Sequence, residues 1–345
     1  MSSQHPHGVR AVLAVDGNAL GHRAYRSAEA ELDAGDRRPL VTGAVVSMLA
    51  TAWAHGPYDA VLVGFDHPEN RRKLLAAEYK ANRPPTPPAL TASLQVLRTH
   101  LAACGFHVVE HEGAEADDVL AAAADACTVR GWRCDLLSSD RDLTALVDTQ
   151  VRLLRPQARF AELSVEDEAA VEALYGVPAS RYVELAALRG DASDGLDGAK
   201  GIGPKTAAKL LRTYGSIDAL YAALPDLPPR IEASLRQGRE RVERNLLLMA
   251  PVPHLDVDPD LLAAAQVRTE LVREVLEPLG LGAAARRFER AVTAPPEPPS
   301  APHPVGTGVP EGGDGTDASG VLHQAVAGRE SRAPAPSTGE QDTLF

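Results

Sequence analysis

Three apolar runs in the first half of the chain each lead into an aspartate, and few folds accommodate that arrangement. Residues 11–15 (Ala-Val-Leu-Ala-Val) precede Asp16, residues 60–65 (Ala-Val-Leu-Val-Gly-Phe) precede Asp66, and Leu136-Leu137 stands just before Asp140. Short apolar runs of this kind are buried strands. Here they alternate with Ala- and Leu-rich helical stretches from Val9 to about Pro156, the βαβ pattern of an α/β layered domain. In a parallel sheet the carboxyl ends of the strands face the ligand. The three aspartates are therefore expected along one edge of such a sheet.

Further acids follow the same plan. Glu115, Asp117 and Asp118 precede a helical run from Val119 that Gly131 can close, which sets them near the positive end of the helix dipole. Asp142 lies two residues beyond Asp140, and Asp191 and Asp194 form a later cluster. Nine carboxylates gathered at one edge would repel one another unless divalent cations sat between them. Oxygen-only ligands suit Mg²⁺ or Mn²⁺, in two or more sites.

The formal charge of −12 does not exclude a polyanionic substrate. Residues 294–345 hold seven acids and two arginines, and much of the remaining negative charge is the carboxylate set itself. Cys104, Cys127 and Cys134 have no paired metal spacing, so they read as reduced, buried thiols of a cytoplasmic protein. No stretch resembles a signal core or a bilayer span, and a soluble protein is expected.

Two basic elements complement the acids. Between Asp66 and Pro84 lie Arg71, Arg72, Lys73, Lys80 and Arg83, opposed only by Glu69 and Glu78. A solvated helix face is the competing reading, but a segment directly following a candidate metal ligand is placed to grip phosphate. Further on, Gly201-Ile-Gly203-Pro204-Lys205-Thr206 reads as a glycine turn opening a helix, with Lys205 and Lys209 on one face and Leu210 and Leu211 on another. Such a turn offers free N–H groups and positive charge to a phosphate.

Residues 294–345 contain nine prolines and eight glycines, a composition expected to be disordered. This tail ends in Gln341-Asp342-Thr343-Leu344-Phe345. An apolar pair at the tip of a polar tail suits a partner's pocket.

Read together, Val15-Asp16-Gly17, Gly64-Phe65-Asp66, Tyr79-Lys80-Ala81-Asn82-Arg83, Glu115-Ala116-Asp117-Asp118-Val119, Ser139-Asp140-Arg141-Asp142-Leu143 and Gly190-Asp191-Ala192-Ser193-Asp194 resemble the 5′-to-3′ exonuclease and flap endonuclease family. Their order and spacing also look like those of the N-terminal nuclease domain of bacterial DNA polymerase I. The resemblance runs from about Val9 to Val292 and implies a parallel-sheet, PIN-like nuclease core, a helical arch and a helix-hairpin-helix domain that holds duplex DNA. A polymerase would need several hundred more residues, so a stand-alone nuclease is implied.

The implied boundaries are a disordered start at 1–8, a nuclease core at 9–163 with its arch at about 67–100, a helical domain at 164–292 with the hairpin at about 190–215, and a tail at 293–345. By the same resemblance Asp16, Asp66, Glu115, Asp117 and Asp140 are the metal ligands nearest the reaction. Asp118, Asp142, Asp191 and Asp194 complete the set. Lys80, Arg83 and Arg23 serve the reacting phosphate, while Arg72, Tyr79, Gly201, Gly203, Lys205, Thr206 and Lys209 contact DNA.

A monovalent ion, K⁺, is implied at Gly201 to Gly203, and the tail peptide with Gln341, Leu344 and Phe345 is similar to the peptides that bind the bacterial sliding clamp. The implied substrates are DNA with 5′ ends or flaps and RNA–DNA hybrids, cut by a monomer in primer removal and repair. Three positions depart from the family pattern: Gly195 replaces an asparagine, Asp197 a proline and Ala76 a frequent tyrosine. A degenerate DNA-binding scaffold would lack carboxylates, and none is missing here. A PIN-like RNase would have no use for the hairpin.

Overall fold

The computed structural model describes residues 10–31, 38–157, 162–252, 255 and 267–294. The expectations for residues 1–8 and for the tail with Gln341, Leu344 and Phe345 lie outside the described residues.

A six-stranded sheet runs in the order β3-β2-β1-β4-β5-β6. Strands β1 (Ala11–Asp16), β2 (Ala60–Phe65), β3 (His107–Glu110), β4 (Arg133–Leu137) and β5 (Val151–Pro156) are parallel, and β6 (Leu163–Glu166) closes the β5 edge antiparallel. The strand order reverses at β1, between β2 and β4, which creates the crevice where α/β sheets bind ligands.

Every residue of β1 is buried, as a parallel strand covered on both faces requires. Alternate side chains enter different cores. Leu13 and Val15 pack with α1 (Gly17–Glu31), α2 (Arg38–Ala52) and α4 (Pro88–Ala103), whereas Val12 and Ala14 pack beneath α5 (Ala116–Val129). Gly131, at φ +68°, follows the end of α5 in the left-handed conformation that the sequence suggested.

A short helix, α3 (Arg71–Leu75), interrupts the basic segment. Beyond β6 come α6 (Glu168–Tyr175), α7 (Tyr182–Arg189), the small ribbon β7 (Gly190–Asp191) and β8 (Leu196–Asp197), then α8 (Pro204–Tyr214), α9 (Ile217–Ala222) and α10 (Pro229–Met249). Leu185, Leu188, Ile202, Leu211, Leu235 and Val242 form the core of this helical part.

The expected boundaries need three corrections. The sheet does not end at 163, because β6 pairs with β5 through Glu166. The arch cannot extend to 100, because α4 buries Leu90, Leu97 and Leu101 in the sheet core, leaving only the segment before Pro88 over the crevice. The helical region is not one unit to 292. Helices α11 (Thr269–Leu276) and α12 (Gly282–Thr293) return to the sheet core, where Phe288 meets Trp53 and Phe106 edge-on at 5.5 and 5.6 Å. Burying that one ring is worth about 2–3 kcal/mol, which ties these helices to the first domain.

Candidate active site

The carboxyl edge of the sheet gathers the acids as expected. Asp16, at the end of β1, is only 3% exposed. One of its oxygens accepts the Ala19 N–H at 2.8 Å and the other the Ser138 hydroxyl at 2.7 Å. Burial, reinforced by the charges of Asp66 and Asp140, outweighs those bonds and pushes its carboxyl up to about 7.

Asp66, just past β2, accepts the Ala116 N–H at the start of α5 at 2.8 Å and the Asn18 side-chain amide at 2.8 Å. Asp140 sits in the turn after β4, where its N–H donates to Ser138 and its carboxylate accepts the Asp142 N–H, both at 2.9 Å. Burial, and then the charges of Asp140 and Asp16, raise Asp117 well above the usual carboxylate range. Asp142 is lifted to about 8 by burial and by Asp140, Asp194 and Asp191.

Asp16, Asp66, Glu115, Asp117 and Asp140 line one cleft together with Asn18, His22, Lys80 and Arg83. Among the described residues, no group of three or more His, Cys, Asp or Glu is arranged to hold a metal ion as it stands. The donor chemistry nevertheless fits a divalent cation. Oxygen ligands converge from four separate segments, and burial together with neighbouring carboxylates raises the proton affinity of Asp16 and Asp117, a condition a bound cation relieves.

Two cations of the basic segment reach the cleft. Lys80 donates to Glu115 at 2.7 Å, and its backbone holds a left-handed φ of +57° while its N–H bonds the Asp194 carbonyl at 2.9 Å. Burial would lower the Lys80 ammonium, but Glu115 and Asp194 more than compensate and raise it. Arg83 pairs with Asp194. Burial opposes the charge of Glu115 too, yet Lys80 and Arg72 hold it below the usual range. Asp191 is occupied by the Ser193 N–H at 2.8 Å and by the Ser193 hydroxyl.

Four sequence expectations are placed elsewhere. Asp118 is fully buried, grips Arg72 through both oxygens at 2.7 Å and is not among the residues that line the cleft. Arg72, 6% exposed, directs its donors inward to Asp118, Glu115 and the Leu248 and Ala250 carbonyls, which removes it from any DNA surface. Tyr79 is buried in the helical core with its hydroxyl donating to Glu115 at 2.9 Å, so its ring does not lie open to DNA. Arg23, on α1, donates to the Gln157 carbonyl rather than lining the cleft.

Two departures from the family pattern have local explanations. Gly195 adopts φ +72°, a left-handed conformation open to glycine and asparagine alike. Ala76 is buried in the helical core instead of facing the cleft.

The hairpin follows its sequence reading. Gly201 takes φ +79°, Pro204 opens α8, and Gly215 at φ +83° ends it. Lys205 and Lys209 are exposed and Thr206 is half-buried, while Ala207, Leu210 and Leu211 face the core.

Sequence reasoning missed Asn18, Asn70, Ser138 and His22. The first three are polar residues that hydrogen-bond the identified acids, and Asn18 and Ser138 each lie two residues from one of them. That spacing was the available signal. For His22 there was none, because only the first turns of α1 bring it to the cleft.

A parallel sheet carrying an acid cleft at its switch point, joined to a helical hairpin, defines a nuclease of the PIN-like class. Residues 11–176 match the family model of the 5′-3′ exonuclease N-terminal resolvase-like domain, and residues 177–270 match that of the 5′-3′ exonuclease C-terminal SAM fold. The 5′-3′ exonuclease of Mycoplasma pneumoniae is 30% identical over 288 residues, covering 81% of this chain and 98% of that protein. The chain therefore belongs to the 5′-3′ exonuclease family.

DNA polymerase I of Deinococcus radiodurans is 33% identical over 286 residues, 79% of this chain but only 29% of the polymerase. Among solved structures, a bacteriophage T5 flap endonuclease complex with DNA and metal ions shares the fold, with a TM-score of 0.56 and 19% identity over 83% of this chain and 100% of that one. The T5 5′-exonuclease with bound zinc has a TM-score of 0.57 and 22% identity, over 82% of this chain and 100% of that one. No helix among the described residues is long and apolar enough to cross a membrane.

Proposed function

We propose that the chain hydrolyses DNA phosphodiesters at 5′ ends and 5′ flaps with divalent cations held by Asp16, Asp66, Asp117, Asp140 and Asp142, and with Asp191 and Asp194 completing the set. The observation that carries this reading is the convergence of Asp16, Asp66, Glu115, Asp117 and Asp140 on one cleft edged by Lys80 and Arg83. Mg²⁺ or Mn²⁺ suits these oxygen donors; a pair of such ions supplies an activated water and stabilises the leaving oxygen. The metal-bound T5 enzymes of the same fold support the assignment.

Lys80 and Arg83 neutralise the scissile phosphate, and to do so they exchange their carboxylate partners for it. Arg23, engaged at Gln157, serves a phosphate further along the strand. Gly201, Gly203, Lys205, Thr206 and Lys209 hold duplex phosphates, with K⁺ at the glycine turn. Phosphate contacts carry no base information, so selection follows strand structure, and RNA–DNA hybrids are admitted.

The enzyme acts as a cytoplasmic monomer, consistent with its three unpaired thiols among the described residues. Gln341, Leu344 and Phe345 dock it on the sliding clamp. Replacing Asp140 with Ala abolishes cleavage of a labelled 5′-flap substrate in Mg²⁺ while binding persists. Undiminished cleavage refutes the metal assignment.

A further inference from the structure

We infer that Arg72 and Asp118 form a positioning pair that sets Glu115 and Lys80 beside the cleft, and that Asp118 is not a metal ligand. The inference rests on the nuclease reading above. Asp118 receives Arg72 Nη1 at 2.7 Å and the Glu115 N–H at 3.0 Å on one oxygen. Its other oxygen receives Arg72 Nη2 at 2.7 Å and the Val252 N–H at 2.9 Å. An ionised carboxylate has about four acceptor directions, so these four donors leave none for a cation. The side chain is also fully buried.

Arg72 spends its remaining capacity across the fold. Nη1 reaches Glu115 at 3.1 Å, Nε the Leu248 carbonyl at 2.8 Å, and Nη2 the Ala250 carbonyl at 3.2 Å. A single guanidinium thereby ties together α3, the first turn of α5 and the end of α10. Glu115 passes the constraint on, because it also accepts from Asn70 at 2.7 Å, Tyr79 at 2.9 Å and Lys80 at 2.7 Å.

Two anions and two cations thus close one neutral chain, Asp118–Arg72–Glu115–Lys80, and only its last members face the cleft. Because α10 also carries Leu235, Val242 and Leu248 of the helical core, the pair joins that core to the catalytic lysine. Only a planar fork bonds two carboxylates and two carbonyls at once, so lysine cannot replace Arg72 here.

The test compares Asp118→Asn and Asp140→Asn with the unaltered full chain by Mn²⁺ calorimetry without DNA. Asp118→Asn is expected to bind the same number of ions within about threefold in affinity, whereas Asp140→Asn weakens binding by about 10-fold or more. On a 5′-flap substrate at saturating Mn²⁺, Asp118→Asn should lower kcat by about 10–100-fold and leave KM within about twofold.

An Asp118→Asn protein that loses an ion, or weakens Mn²⁺ as Asp140→Asn does, overturns the inference. Arg72→Lys is the second variant, read without metal or activity: amide exchange at Glu115 and Val252 should speed up, and unchanged exchange overturns the inference. An unaltered protein that binds no Mn²⁺ refutes the nuclease reading instead, and the amide exchange still decides the pair.

Discussion

Replacing Asp16 with Asn should make the metal-free protein more stable, by an amount that grows with pH. The side chain is buried at the end of β1, and its folded carboxyl titrates at about 7 against an ordinary value of 3.8. Because the native state holds this proton more tightly than the unfolded chain, the associated stability is complete below 3.8 and is lost as pH rises through about 7. Between pH 5 and 8 the loss is about 3 kcal/mol, from two pH units at about 1.36 kcal/mol each.

His22, His55 and His100, whose imidazoles burial lowers, carry the opposite sign: their contribution grows as pH rises through the ordinary histidine range. They are common to both proteins and cancel in the comparison. Asparagine is isosteric: its carbonyl oxygen can keep the Ala19 bond and its amide can donate to Ser138 in place of accepting from it, while the lost charge also relieves Asp117, an effect of the same sign.

The assay is thermal unfolding of both proteins in EDTA at pH 5, 6, 7 and 8, then again with Mg²⁺. In EDTA the stability gap should widen by about 3 kcal/mol across the series, on the order of 5–10 °C in Tm. With Mg²⁺ at about 1,000 times its Kd, the unaltered protein regains about 4.1 kcal/mol and the order reverses. A gap that does not change with pH, or an unaltered protein indifferent to Mg²⁺, refutes the repulsive-cleft account.

Two further outcomes concern the outer contacts. If Lys205 and Lys209 each neutralise one duplex phosphate, replacing both with Ala should flatten the slope of log affinity against log salt by about 1.8; an unchanged slope removes the hairpin from the interface. Deleting the last five residues should abolish capture on an immobilised bacterial sliding clamp while cleavage of naked flap DNA is retained, and surviving capture refutes the docking role.

The edge of the sheet was legible because strand periodicity fixes where the residue after an apolar run must lie, and Asp16, Asp66 and Asp140 all lie there. The hairpin was legible for a similar reason, since Gly201, Pro204 and Gly215 have few conformational alternatives. Charge alone gave no such direction. Arg71, Arg72 and Lys73 are consecutive, yet only Arg72 turns inward, because a five-residue helix capped by Asn70 points that side chain at α5. Asp117 and Asp118 are likewise neighbours whose roles diverge by the rotation of about 100° per helical residue, one toward the cleft and the other toward Arg72. The return of α11 and α12 to the sheet core was hidden as well, because an amphipathic helix does not reveal which apolar surface it will cover.

The placement of Phe288 between Trp53 and Phe106 governs how this chain comes off the ribosome. The first domain's strands and helices emerge early, but Trp53 and the side of α2 that meets α12 stay uncovered until a ring 235 residues downstream of Trp53 has been made. At ordinary elongation rates that interval lasts roughly 10–50 s. Throughout it the face of α2 that carries Gly43, against which Leu281 packs, lacks its cover, so chaperone capture or aggregation competes with completion of the fold. A fragment stopped at the end of α10 keeps every residue that lines the cleft and still lacks the ring that completes the sheet core.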